Sequence, residues 1–231
     1  VISDVEAQIL RDLAGGDPHR IRVVSNGVDT EYFDPARQLP TPFPKDSRPV
    51  VFTGAMDYEA NADGVRWFVR EVLPGVRSHT PAAAFFIVGS NPSAGVRALA
   101  TEPGVIVTGR VPDVRPYLAH ADVVVAPLRI ARGLQNKVLE ALAMARPIVA
   151  TENAVQGIPD ASRAGIRVAN DAGEMVDAIT AILDSGGNGS LGRAFVQSRH
   201  SWEVNLSVAT DLFAGARRTA CRDSLERSTS A

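Results

Sequence analysis

A segment in the second half of the sequence combines a glycine turn with a lysine. Gly133 precedes a stretch of helical spacing over 134–145, and Lys137 lies about one turn into that predicted helix. The free N–H groups at a helix start suit a phosphate, whereas the helix dipole there disfavours a cation by roughly 0.3–1 kcal/mol. An anion bound beside Lys137 would remove that cost, so the segment indicates phosphate binding.

Glu140 follows Lys137 by three residues, which places both side chains on one face of the predicted helix. A carboxylate at this position could accept hydrogen bonds from both hydroxyls of a ribose. A solvated Lys/Glu pair is the structural alternative, although lysine before glutamate is the weaker orientation for such a pair. Taken alone, the spacing leaves both interpretations open.

The elements around this segment alternate between short apolar runs and helical patterns. Helical spacing covers 63–80, 134–145 and 172–183. The predicted strands are Ile21–Val24, Val50–Thr53, Ala84–Val88, Val105–Thr108, Asp122–Ala126, Ile148–Ala150 and Ile166–Val168. Strands that are apolar on both faces and separated by helices predict a doubly wound, Rossmann-like parallel sheet with helices on both faces. Ligands of such sheets bind at the carboxyl ends of the strands.

Glycines follow three of the predicted strands, at Gly54, Gly89 and Gly109. Any one of them is better explained by a tight turn, because glycine accepts conformations that other residues avoid. Together, at the carboxyl ends of neighbouring strands, the three glycines predict one wall of a ligand cleft.

The composition excludes several classes of function. A net charge of −2 over 231 residues offers no broad positive field for nucleic acid. The single cysteine, Cys221, and the absence of His/Cys clusters with metal-ligand spacing predict neither an internal disulfide nor a metal site. The apolar runs are shorter than the roughly 20 residues that span a bilayer. We therefore expect a cytoplasmic protein, or one peripheral at the inner membrane.

The segment 131–151 resembles the donor-binding signature of a large family of retaining glycosyltransferases, which includes sucrose, polysaccharide and lipopolysaccharide sugar transferases. Five weaker matches precede it in family order and with family spacing, and the resemblance covers roughly residues 1–215. These matches are 1–6, 24–29, 51–56, 107–111 and 122–127. The family fold is GT-B, in which two Rossmann-like domains face each other across a cleft.

The resemblance implies a domain organisation. Residues 1–20 would form an interdomain segment, 21–200 the nucleotide-sugar-binding domain, and 201–231 a C-terminal helix with a disordered tail. The start at Val1 and the half-size length predict that an N-terminal acceptor domain is missing. We expect the isolated chain to be inactive as a transferase.

The resemblance also implies roles for individual residues. Glu140 would hold the donor ribose, and the backbone at Gly133 and Leu134 would meet phosphate and sugar. The loop 109–111 would border the base, and Gly54 would line the same donor site. The donor-binding residues implied are thus Gly54, Gly109, Arg110, Val111, Arg132, Gly133, Leu134, Lys137 and Glu140. A nucleoside diphosphate sugar would be the donor substrate, with no cofactor, and the acceptor a saccharide or lipid-linked molecule; the catalytic residues stay unassigned.

Two departures from the family pattern concern charge. The position eight residues before Glu140 holds Arg132 in place of the usual first glutamate. The loop 54–58 lacks the basic residue that the family often places there, so Lys137 and Arg132 are the available substitutes. The run 127–137 is most similar to a branch associated with bacterial exopolysaccharide assembly.

Other functions fit the same fold. A sugar-nucleotide 2-epimerase would use the same cleft, and loss of the first glutamate would also suit a degenerate nucleotide-binding module without transfer activity. A dehydrogenase is the weakest alternative, because no G-x-G-x-x-G turn follows the first strands.

Overall fold

A computed structural model describes residues 1, 4–14, 21–131, 133–207 and 210. Its centre is a sheet of six strands, all parallel. The strands are β1 (Arg48–Thr53), β2 (Ala83–Val88), β3 (Val105–Gly109), β4 (Val123–Ala126), β5 (Ile148–Ala150) and β6 (Arg167–Val168). The predicted parallel sheet is confirmed.

The strand order is β3-β2-β1-β4-β5-β6, so the direction of winding reverses between β1 and β4. This is the order of a doubly wound Rossmann-like domain, in which the crevice at the reversal point receives the ligand. Since crossover connections are right-handed, the crossover from β1 to β2 and the crossover from β4 to β5 lie on opposite faces of the sheet.

Helices connect the strands. They are α1 (Asp4–Ala14), α2 (Glu59–Trp67), α3 (Leu73–His79), α4 (Ala94–Ala98), α5 (Arg115–Ala119), α6 (Asn136–Ala143), α7 (Glu152–Val155), α8 (Ala172–Ser185) and α9 (Ser190–Arg199). A π-helical turn, Phe68–Val72, joins α2 to α3, so the single helix predicted over 63–80 is three consecutive helical segments. Helix α3 packs on α8, and α6 packs on α9.

The core forms where both faces of the sheet meet these helices. Phe52, Phe85 and Phe68 are fully buried, and the rings of Phe68 and Phe85 lie with their centroids 4.3 Å apart. Burying such side chains stabilises the fold by about 1.5–3 kcal/mol each relative to leaving them exposed. The apolar runs that predicted β1, β2, β4 and β5 are thus explained by burial on both faces, whereas the edge strand β6 is exposed.

One predicted strand is wrong. Residues 21–24 do not join the sheet and are only partly buried. The N–H of Val24 donates instead to the carbonyl of Val1 at 2.9 Å. The segment also contains Arg22, which is exposed, so it is not a continuous apolar run that must be buried between two helical layers.

The two ends of the domain meet at one corner. Val28 and Ser201 form an isolated parallel bridge, and the N–H of Val28 donates to the carbonyl of His200 at 2.8 Å. Residues 202–207 are helical, and the side chain of Asn205 donates to the carbonyl of Asn26 at 3.0 Å. Most of the tail predicted beyond them, 211–231, lies outside the described residues. Within the part that the structure describes, no helix is long and apolar enough to cross a membrane.

Candidate functional site

A cleft of about 760 Å³ opens at the carboxyl ends of β1, β2 and β3 and at the start of α6. This position coincides with the reversal of the strand order between β1 and β4. The described residues that line it are Thr53, Gly54, Ala55, Tyr58, Asn61, Val88, Gly89, Ser90, Asn91, Arg110, Val111, Val114, Leu134, Gln135, Asn136, Lys137 and Glu140.

The structure brings most of the predicted donor-binding residues into this lining. Those in it are Gly54, Arg110, Val111, Leu134, Lys137 and Glu140. Gly109 and Gly133 are not in the lining, although each directly precedes a residue that is. Arg132 lies outside the described residues.

The loops after β1 and β2 are pressed together at Gly54 and Gly89. A Cβ atom added at Gly89 would lie 1.7 Å from the carbonyl oxygen of Gly54. The N–H of Gly54 donates to the carbonyl of Val88 at 3.0 Å, and that of Gly89 to the carbonyl of Gly109 at 3.2 Å. Residue 89 must therefore be glycine, because a side chain would collide with the backbone of Gly54. The predicted tight turn and the predicted wall of the cleft are the same feature of the structure.

The turn before α6 is held by a contact that the sequence analysis missed. Gly133 has φ +69°, the left-handed region that favours glycine. A Cβ at Gly157 would lie 2.6 Å from the N and Cα atoms of Leu134. Gly157 thus lets the loop after α7 support the turn, and no spacing in the sequence connects these two loops.

Helix α6 begins later than the sequence predicts. Asn136 is its first residue, so Lys137 lies within the first turn rather than one turn in. Gln135 is the N-cap residue, and its side chain makes no cap hydrogen bond among the described residues. The first-turn N–H groups of a helix lack intrahelical partners and carry the positive end of the dipole. The start of α6 is therefore more electropositive around Lys137 than the sequence suggested.

Lys137 and Glu140 are both half-buried in the cleft. Burial lowers the pKa of Lys137 to about 8, although the neighbouring Glu140 acts to raise it. Burial also raises the pKa of Glu140, against the opposing effect of Lys137. No ion pair within 4.0 Å joins these two described side chains. The cleft therefore contains two poorly solvated charged side chains, Lys137 and Glu140, that do not form an ion pair with each other.

Asn61 of α2, which the sequence analysis did not select, holds the lysine. Its side-chain oxygen accepts from Nζ of Lys137 at 2.5 Å, and its Nδ2 donates to the carbonyl of Ala55 at 2.8 Å. Nζ of Lys137 also lies 4.9 Å from the ring centroid of Phe52. Asn61 is only 4% exposed, and a buried polar residue is a signal that appears only once the helix is placed.

The end of β1 adds a second residue that the sequence analysis missed. The Thr53 side chain is 4% exposed, and its hydroxyl has no hydrogen-bond partner among the described residues. The loop that follows contains Asp57, whose carboxylate accepts from Asn91 at 2.9 Å. The loop 54–58 contains no lysine or arginine, and a Cβ added at Gly54 would lie 3.3 Å from Cε of Lys137, so this lysine lies against the loop.

Comparison with known proteins identifies the family. Residues 47–185 match the family model described as glycosyl transferases group 1. The chain belongs to the group 1 glycosyl transferases. The matched region runs from just before β1 to the end of α8 and so contains the cleft.

Curated relatives of this glycosyl transferase chain extend the match over nearly all of it. The D-inositol 3-phosphate glycosyltransferase of Mycobacterium bovis (strain BCG / Pasteur 1173P2) is 32% identical over 98% of the chain. The enzyme of the same name from Mycobacterium avium (strain 104) is 28% identical over 96% of it. The chain covers 50% and 55% of these two proteins, so it spans about half the length of the curated relatives it matches.

Solved structures share the fold of this glycosyl transferase chain at lower identity. Sucrose-phosphate synthase from Thermosynechococcus elongatus is 20% identical with a TM-score of 0.72, the match covering 95% of this chain and 58% of that one. HepE from Anabaena, solved in complex with UDP and glucose, is 15% identical with a TM-score of 0.67, covering 91% and 61%. These similarities support the GT-B-type, Rossmann-like architecture.

Proposed function

We propose that this chain is the C-terminal, donor-binding domain of a retaining hexosyltransferase. The complete enzyme would move a sugar from a nucleoside diphosphate sugar to a saccharide or lipid-linked acceptor in bacterial polysaccharide synthesis. The observation that carries the proposal is the placement of Lys137 and Glu140 side by side, half-buried and not ion-paired, in the cleft at the strand reversal. Two such charges reduce the stability of the fold unless a ligand completes them.

The chemistry of a nucleoside diphosphate sugar matches both charges. The Lys137 ammonium and the first-turn N–H groups of α6 suit the diphosphate. The Glu140 carboxylate suits the ribose hydroxyls, which are donors. The proposed donor site is completed by Gly54, Gly109, Arg110, Val111, Gly133 and Leu134. The proposal also includes Arg132, which lies outside the described residues.

The proposed mechanism is electrostatic. As the bond between the sugar and the diphosphate breaks, negative charge develops on the leaving phosphate. Lys137 and the α6 N–H groups, fixed in place before the reaction, would stabilise that charge at little reorganisation cost. This contribution involves no covalent change in the protein and no cofactor.

We propose that an acceptor domain closes the other side of the cleft. Support comes from the family, whose curated relatives are about twice as long as the matched chain. In this proposal residues 21–200 are the donor domain, 1–20 the interdomain segment and 201–231 the C-terminal helix and tail. The chain alone would bind the donor without transferring sugar, in the cytoplasm or at the inner membrane surface. The binding of UDP and glucose by HepE makes UDP-sugars the first donors to test.

The donor assignment is tested by calorimetric titration of UDP, GDP, ADP and their sugars. Glu140→Ala should weaken the best-binding nucleotide by about 1–3 kcal/mol, the range for losing a hydrogen bond to a charged group. Lys137→Ala should weaken the nucleoside diphosphate and leave the bare nucleoside unchanged. Glu152→Ala is the control, because this exposed first-turn carboxylate of α7 lies outside the cleft lining.

The outcomes separate the alternatives. Unchanged nucleotide affinity in both cleft variants would return Lys137 and Glu140 to an ordinary surface pair and contradict the proposal. Sugar transfer by the 231-residue chain alone would contradict the need for an acceptor domain. Nucleotide binding without turnover in a full-length protein would favour the degenerate binding module instead.

A further inference from the structure

We propose that Asn61 is a positioning residue that aims the Lys137 ammonium at the donor diphosphate while leaving its charge uncancelled. This inference rests on the proposed function. It assigns a role in donor selectivity to a residue of α2, an element far from α6 in the sequence.

The first argument is that both ends of the Asn61 amide are used. Its oxygen accepts from Lys137, and its Nδ2 donates to the carbonyl of Ala55. The opposite orientation of the amide would set an NH₂ group against an ammonium and an oxygen against a carbonyl. The chemistry of its two partners therefore fixes Asn61 in one orientation, and the buried side chain acts as a rigid link between α6 and the loop after β1.

The second argument concerns the path of the lysine stem. A Cβ added at Gly54 would lie 2.8 Å from Nδ2 of Asn61 and 3.3 Å from Cε of Lys137. The Phe52 ring lies on the same stretch of β1. The stem therefore passes close to Gly54, directly after β1, where the side chain of Asn61 accepts a hydrogen bond from the ammonium.

The third argument is the choice of an amide over a carboxylate. An ammonium has three donors, of which Asn61 takes one. A neutral acceptor orients the cation without neutralising it, so the positive charge remains available to an incoming phosphate. A carboxylate at this position would itself become the counter-ion of Lys137.

The same helix shows the contrasting arrangement two residues later. Asp63 makes a two-pronged ion pair with Arg129, with N–O distances of 2.6 and 3.0 Å. Neither residue is in the cleft lining. On helix α2, a carboxylate thus pairs with the cation outside the cleft, and an amide holds the cation inside the cleft. This difference suits phosphate binding, because the cation inside the cleft keeps its charge available.

The test compares Asn61→Asp with Asn61→Leu in calorimetric titrations. UDP, GDP and ADP are titrated first against the unmodified chain, and the tightest binder becomes the probe together with its bare nucleoside. Asn61→Asp should weaken the diphosphate about ten- to a hundredfold, since it gives Lys137 a competing counter-ion, and leave the nucleoside within about twofold. Asp63→Asn is the matched control and should leave both affinities unchanged.

The pH dependence provides a readout that a merely structural role would not move. The pKa of Lys137 is about 8, so diphosphate affinity of the unmodified chain should decline as the pH rises through that value and the ammonium loses its proton. Asn61→Asp should move this decline to higher pH, because a carboxylate favours the charged lysine. Asn61→Leu should move it to lower pH, because the cation loses a hydrogen-bond acceptor.

Either variant could fold poorly, because Asn61 is buried. The apparent pKa of Lys137 is therefore also measured without ligand, from the pH dependence of its acylation rate by acetic anhydride, read by mass spectrometry. Equal pH profiles and equal diphosphate affinities in folded Asn61→Asp and the unmodified chain would overturn the inference, while a loss in Lys137→Ala would leave the proposed function standing. If none of the three nucleoside diphosphates binds the unmodified chain, the proposed function fails and the inference fails with it.

Discussion

Polar groups at the amino ends of the strands have different partners from those at the carboxyl ends. At the amino ends of β1 and β4, Arg48 pairs with Asp122 at 2.6 Å and also donates to the carbonyl of Leu183. At the carboxyl ends, the Thr53 hydroxyl is buried without a described partner, and Lys137 is held as a poorly solvated cation. Arg48 and Asp122 at the amino end are partnered within the protein, whereas the polar groups at the carboxyl end would be partnered by the proposed donor.

Folding stability and ligand affinity should therefore depend on different ends of the sheet. Groups at the amino end should contribute to folding and not to ligand affinity. Cations at the carboxyl end should reduce stability and increase affinity. Natural proteins commonly lose stability at binding sites in this way.

The largest expected effect is on the backbone contact that forms the cleft wall. Gly89→Ala would place a Cβ 1.7 Å from the carbonyl oxygen of Gly54, so the two loops must separate. We expect the free energy of unfolding in urea to fall by about 3 kcal/mol or more, at the upper end for overpacking. Nucleotide binding should also be lost, because the wall of the cleft moves.

Gly95→Ala is the control for this prediction. A Cβ there would lie 3.9 Å from Oγ of Ser93, and the residue is exposed in α4. It should raise stability slightly, by about 0.5–1 kcal/mol, because alanine favours helix more than glycine does. Equal stability of the two variants would contradict the proposed contact between the loops.

A smaller effect is expected at the amino end of the sheet. Arg48→Ala removes an ion pair and a hydrogen bond to Leu183, and should lower the free energy of unfolding by about 1–2 kcal/mol. Affinity for the nucleotide should be unchanged. Arg66→Ala is the control, because its partner Glu59 is 76% exposed in the side chain and such pairs contribute little. If Arg48→Ala also weakened nucleotide binding, the division between stability at the amino end and binding at the carboxyl end would be wrong.

The smallest expected effect has the opposite sign. Lys137→Met removes a poorly solvated cation and should raise the free energy of unfolding at pH 7 by about 1 kcal/mol, while weakening diphosphate binding. Urea unfolding measures the change, with Lys45→Met, at an exposed loop position, as the control. A loss of stability in Lys137→Met would show that this cation supports the fold.

The pH dependence of stability checks the same point. The folded pKa of Lys137 is about 8 and its ordinary value is 10.5. Between these pH values the unfolded chain binds more protons, so the contribution of Lys137 to the free energy of unfolding rises with pH. The unmodified chain should therefore gain stability relative to Lys137→Met across this window.

The central strands β1, β2, β4 and β5 could be predicted from sequence because nearly all of their residues are buried. Continuous apolar runs such as 123–126 have one stable environment, between two layers of helix. The run 21–24 contains the exposed Arg22 and does not pair with the sheet, and the N–H of its Val24 donates to the carbonyl of Val1. An apolar composition predicts that a segment prefers to be buried. Whether the segment pairs as a strand depends on whether a neighbouring strand has a free edge.

The candidate site was predictable in part for a related reason. Lys137 and Glu140 lie three residues apart, so helix geometry alone brings them together. Asn61 and Gly157 reach the same site from other elements, across gaps in sequence that no periodicity spans. Residues that support a site through tertiary contact become visible only when the fold is known.

The bridge between Val28 and Ser201 has a mechanical consequence. The chain enters the domain at 26–28 beside the point where α9 ends, and the bonds from Val28 to His200 and from Asn205 to Asn26 tie the two segments together. A pull on the residues before Asn26 is therefore transmitted first to the end of α9 rather than along 29–47 to β1. Load on either connection should therefore be shared between the two segments at this corner.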